Sequence, residues 1–123
     1  MKRILCIATL LLGVITVKGQ DLNLFFSEAD AFFKEHVDNG KVAYANISKD
    51  QSELNNILTL AKSIKVAKED TNNYQAFWIN AYNLSVIKGI IDNYPTNSPL
   101  DNQGLFVKTT YSLGGIDINL NNI

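Results

Sequence analysis

Apolar residues recur at three- and four-residue steps from Leu22: Leu22, Phe25, Phe26, Ala29, Phe32 and Phe33 within DLNLFFSEADAFFKEHV. This spacing predicts an amphipathic helix with an aromatic stripe turned to the core. The helix ends at Asp38-Asn39-Gly40, a turn signal whose glycine can take positive φ. A short extended piece, Val42 to Tyr44, leads to SKDQSELNNILTLAKSI, in which Leu54, Ile57, Leu58, Ala61 and Ile64 form the buried stripe of a second helix. Ser48 and Gln51 have the spacing of a capping box, in which each side chain satisfies a free backbone N–H of the first turn. Lys62, Lys65 and Lys68, followed by Glu69 and Asp70, read as a solvated helix end and loop.

A third helix is predicted over QAFWINAYNLSVIKGIIDNYP. Asp70 or Thr71 can cap it, and it must stop before Pro95, because the residue preceding a proline is pushed out of the α region. On a wheel of about 100° per residue, Lys88, Asp92, Ser85 and Ala81 share one stripe, assigned to the wet side. Asn83 points almost opposite, and Asn80 lies about 60° from Asn83, among Ala76, Ile79, Ile87, Ile90 and Ile91. Both amides are therefore expected to be buried. A buried amide without partners costs about 1 to 3 kcal/mol, so each should have one. The amides either pin the backbone of a neighbouring loop or strand, or line a polar pocket that orients a ligand. Trp78 and Tyr82, one turn apart on the flank of this helix, read as core side chains with a polar tip. Trp78, Asn80, Tyr82 and Asn83 are the candidate pocket or structural polar residues.

Beyond this helix, TNSPLDNQGLF is a loop by composition. FVKTTYSLGGIDINL then offers a β-rich run, the Gly114-Gly115 pair suited to a two-residue turn, and a second alternating run, which together predict a hairpin. The closing NLNNI looks like a helix start capped by Asn119 or Asn121. The expected fold class is α+β, mainly helical, with three helices and a C-terminal β-hairpin. Because the sequence stops on the start of another helix, the domain is expected to be incomplete.

The N-terminus alters the charge balance. MKRILCIATLLLGVITVKGQ places Lys2 and Arg3 before an uncharged run from Ile4 to Val17 and small Gly19 before Gln20, the layout of a secretory signal peptide. The run is shorter than the ~20 residues of an ordinary membrane-spanning helix; a retained anchor is the alternative. Residues 1–19 are thus the expected signal and 20–123 the expected domain, exported to the periplasm or the exterior, with membrane contact only through the signal before cleavage. Cleavage would remove Cys6, the one cysteine, and three of the eleven basic residues but none of the twelve acids. The remainder, at net charge −4, does not attract phosphate backbones, so no nucleic-acid partner is expected.

Catalytic and cofactor signals are sparse. His36, the single histidine, has Glu35 and Asp38 nearby but not at the spacing of a recognisable metal site; as a residue near a helix C-terminus it reads as a favourable cation or a surface residue. Gly114-Gly115 is a turn pair and not a phosphate loop, and no nucleophile elbow is present. Ser85, placed on the wet stripe, has no histidine set by sequence to activate it. No catalytic residue, metal ligand or cofactor is assigned.

AFWINAYNLSVIKGIIDNYP, the upstream VAY and the downstream YSLGGIDINLNNI resemble the N-terminal half of the domain of unknown function 547 (DUF547) family, over roughly Phe25 to Ile123. The resemblance implies a Phe-Trp-x-Asn-Ala-Tyr-Asn helix followed by Tyr-Pro, a hairpin with a Gly-Gly-like turn, and a further segment with Arg-Ile-His-Phe and Cys-x-x-x-Ser-Cys-Pro that this sequence does not contain. Only Trp78, Asn80, Tyr82 and Asn83 carry over, and the family offers no settled activity for them. The expected function is that of an exported domain whose complete form binds a small molecule or peptide. The alternative is the N-terminal half of a cysteine-type hydrolase or acyl-transfer enzyme.

Overall fold

The computed structural model describes residues 17–123. The first sixteen residues of the expected signal peptide lie outside the described residues. Helix α1, Val17–His36, runs across the expected cleavage point at Gly19-Gln20 and presents Phe25, Ala29 and Phe32 to the core, as the periodicity predicts.

Where the α1 periodicity ends, the chain makes a small hairpin. β1 (Val37–Asp38) pairs antiparallel with β2 (Lys41–Val42) around Asn39 and Gly40, at φ 49° and 74°. The extended segment expected through Tyr44 is shorter than predicted: Ala43 N–H donates to the His36 carbonyl (2.9 Å), and helix α2 (Tyr44–Lys49) starts at once, burying Ile47. This extra turn of helix dissolves the expected capping box. Ser48 falls inside α2, where its hydroxyl donates to the Ala45 carbonyl (2.9 Å). Asp50 sets the entry to helix α3 (Ser52–Ser63) instead, its carboxylate accepting from the Ser52 N–H (3.0 Å) and hydroxyl (2.6 Å), a local Asx arrangement two residues long. α3 buries Leu54, Ile57 and Ala61, with Ile64 just beyond it.

Helix α4, Thr71–Asp92, follows Asp70 and ends before Pro95, both as expected. Its buried face is the expected one only in part: Ile87, Ile90 and Ile91 are buried as predicted, but the rest of the face is rotated away from the asparagines. Phe77, Ala81, Leu84 and Ser85 are buried, Asn83 is exposed and Ile79 is 61% exposed. α4 packs against α1, α2 and α3. The stripe through Ala81 and Ser85 is the inner one, since side chains this small let neighbouring backbones approach closely. Lys88 closes that stripe at its rim, with its ammonium group donating to Gln51 Oε1 (2.9 Å) and Asp92 Oδ1 (2.7 Å). The lysine stem is covered while its charge reaches the edge, so a charged residue did not mark the wet side.

The loop after α4 contains a 3-10 turn at Pro99–Asp101 and buries Leu105, which joins Ile90 and Leu120 in a small second cluster. β3 (Thr110–Leu113) and β4 (Ile116–Asn119) form the expected antiparallel hairpin, with Leu113 opposite Ile116. Gly114 and Gly115, at φ 62° and 79°, make the two-residue turn, whose twist suits the strands it joins. Both turn N–H groups dock on the end of α3: Gly114 donates to the Ala61 carbonyl (2.9 Å) and Gly115 to that of Lys62 (2.8 Å). Leu120–Asn122 follow as a 3-10 turn; Asn119 stands at its cap position, but its side chain donates to the Val107 carbonyl (3.2 Å). The fold is α+β: among the described residues there are four α-helices, one of them a short extra turn, with a C-terminal hairpin. Among the described residues, no helix is long and apolar enough to cross a membrane.

Candidate functional site

The outer face of α4 and the hairpin enclose a groove of about 580 Å³, lined by Tyr74, Gln75, Trp78 and Ile79 from α4, Ile116 and Ile118 from β4, and Asn122 and Ile123 after it. Local sequence dictates this shape. Alternation along β4 sends Ile116 and Ile118 to the same face, and the i, i+4 step of α4 stacks Trp78 above Tyr74. The indole is fixed edge-on against Phe77 (centroids 5.1 Å apart, 77° between planes) and Tyr74 (6.3 Å, 65°), with the Gly114 backbone beneath it. Among the described residues no charged side chain lines the groove; its lining side chains with polar groups are Gln75, Asn122, Tyr74 and Trp78.

Of the four residues singled out from sequence, only Trp78 reaches this groove. Asn80 is half-buried, and its amide donates to the Ala76 carbonyl one turn back in the same helix (2.8 Å), so it ties α4 to no other element. Tyr82 packs on the small cluster of Ile90, Leu105 and Leu120. Asn83 is exposed, contrary to the expected burial, because at its level the helix docks through Phe77, Ala81, Leu84 and Ser85. Ser85, read as wet, is fully buried, and its hydroxyl has no hydrogen-bond partner among the described residues. No pair of these residues forms a nucleophile and base.

The sequence also gave no warning of a second grouping. His36 lies half-buried at the end of α1, its ring against Phe32 (centroids 4.6 Å apart), and its Nε2 stands 3.2 Å from Glu53 Oε2 on α3. One ligand atom each from Glu35, His36 and Glu53 lies within 4.8 Å of the others. Asp38, the other acid noted beside His36, is not among them. Linear spacing could not reveal Glu53, because only the packing of α3 on α1 brings it there.

Residues 66–123, from the approach to α4 through the hairpin to the last residue, match a family model described as "Protein of unknown function, DUF547". The match supports the resemblance carried by FWINAYN and YSLGGIDINLNNI, and it begins at Val66, later than Phe25. No curated protein and no solved structure matches the chain.

Proposed function

We propose that this chain, which through residues 66–123 belongs to the DUF547 family, is an exported binding domain. Its groove beside Trp78 takes an apolar small molecule or the apolar side chains of a peptide. The observation that carries the reading is the uncharged groove itself, walled by Trp78, Ile79, Ile116 and Ile118, with two amides at its edge that can orient a ligand. Ile79 and Ile116 are 61% and 52% exposed, so a ligand would remove from water apolar surface that the fold leaves wet. The Asn80 and Asn83 amides take no part in this reading. Export rests on the basic, apolar and small-residue order of the first twenty residues.

Trp78 is the sole tryptophan, so its emission reports the groove directly. Titration with anilinonaphthalene sulfonate, an anionic dye whose aromatic rings bind apolar surface, is expected to give saturable one-site binding with energy transfer from Trp78. Ile79→Glu and Ile116→Glu, both at exposed positions, should each weaken binding about tenfold or more, since a carboxylate must be desolvated in the groove. An affinity equal to the parent's in both variants would overturn the reading. For export, sequencing of the mature N-terminus is expected to begin at Gln20; an intact Met1 in the secreted fraction would contradict cleavage.

A further inference from the structure

We propose that Glu35, His36 and Glu53 form a divalent-cation site of the zinc class, which clamps the C-terminal end of α1 to the first turn of α3. The donor set is one imidazole nitrogen and two carboxylate oxygens, which suits zinc better than calcium or magnesium; those ions prefer six or more oxygens and rarely take a nitrogen. Zinc bonds of about 2.0 to 2.2 Å in a tetrahedron place neighbouring ligand atoms roughly 3.4 Å apart. His36 Nε2 and Glu53 Oε2 already stand 3.2 Å apart, and a ligand atom from each of the three residues lies within 4.8 Å of the others, so only the exposed Glu35 side chain needs to swing inward. The fourth position is then left to water.

Two further observations favour a cation over a simple imidazole–carboxylate pair. The His36 ring is held before any metal arrives: Phe32, 1% exposed, supports one face, and the His36 carbonyl accepts from Ala43 N–H, which fixes the end of α1. Moreover, two carboxylates converge here, although an ion pair with one imidazole needs only one. Among the described residues neither glutamate pairs with a lysine or arginine, and the nearest candidate in sequence, Lys34, is engaged with Asp30 at 2.7 Å. A dication neutralises both glutamates at once while His36 binds through its neutral form. The side chains of His36 and Glu53 are 16% and 37% exposed, which leaves the site partly desolvated but open to an entering ion.

The test uses the 123-residue chain, freed of metal, and zinc chloride as the probe. His36 is the only histidine, so its ring gives a single set of side-chain nitrogen signals in NMR. One equivalent of zinc is expected to shift these signals, with calorimetry giving a stoichiometry of one. Glu53→Gln and Glu35→Gln should each weaken zinc binding at least about tenfold with an unchanged circular dichroism spectrum. Asp38→Asn, outside the cluster, should bind like the parent. Calcium in place of zinc should leave the His36 signals where they are. Ring signals unmoved by excess zinc, glutamine variants that bind as well as the parent, or an equal response to calcium would each overturn the proposal.

Discussion

The indole of Trp78 lies on the backbone of Gly114, so close that a Cβ at that position would stand 3.1 Å from Cζ2 and 3.2 Å from Cη2. Gly114 also sits at φ 62°, where an L side chain costs about 1 to 2 kcal/mol. Gly114→Ala is therefore expected to lower stability by at least that amount and to displace the ring. Denaturation followed by tryptophan emission checks both effects; an unchanged midpoint with unchanged emission would show that the contact is not made.

Gly89 sets helix propensity against packing. It lies inside α4, where alanine would ordinarily gain about 1 kcal/mol. A Cβ there, however, would collide with the Leu105 side chain and stand 2.6 Å from the Tyr111 hydroxyl. Leu105 is buried, so neither neighbour has free space to move into, and overpacking costs about 1 to 3 kcal/mol. Gly89→Ala should come out destabilising by up to about 2 kcal/mol in urea melts, against the propensity scale.

Tyr111 supplies a pH-dependent prediction. Burial, and secondarily the Asp92 carboxylate, pushes its phenol up to about 12. The fold favours the neutral form, so this contribution is fully present below the unfolded value near 10 and is lost as pH rises through about 12. Burial also raises the Tyr44 phenol, so an alkaline absorbance titration should show a late-ionising component that shrinks, without vanishing, in Tyr111→Phe. The same variant should lose less stability than the parent between pH 10 and 12. Because the hydroxyl has no partner among the described residues, Tyr111→Phe should be as stable as the parent at neutral pH, or more so.

The two asparagines of FWINAYN should tolerate change. Asn83→Ala, at an exposed position, is expected to shift stability by less than about 0.5 kcal/mol. Asn80→Ala loses only a bond to its own helix and gains propensity, so a loss above about 1 kcal/mol in a thermal melt would show a tertiary role that the geometry does not provide.

The gap between sequence and structure is concentrated in α4. The stripes of α1 and α3 were legible because polar residues flank them on both sides. α4 carries apolar residues nearly all round, with Ile79, Tyr82 and Val86 on one side and Phe77, Leu84 and Ile91 on the other, so periodicity alone does not choose a face. Lys88 tipped the choice the wrong way, while the small residues Ala81 and Ser85 held the better clue, since close helix packing selects for them. The Gly114-Gly115 turn was legible because its backbone requires glycine. The Glu53 carboxylate beside His36 was invisible, because nothing local links residues on two separate helices.

The docking of the Gly114 and Gly115 amides on the Ala61 and Lys62 carbonyls has a temporal side. Two of the acceptors that a helix ordinarily leaves open at its C-terminus wait here for donors made much later in the chain. As the polypeptide emerges, the last turn of α3 is expected to stay frayed until the hairpin has been synthesised and closed over the intervening loop, a non-local step with its own entropic cost. Amide protons in that turn should then gain exchange protection together with those of the hairpin, so the end of one early helix reads out the arrival of β3 and β4.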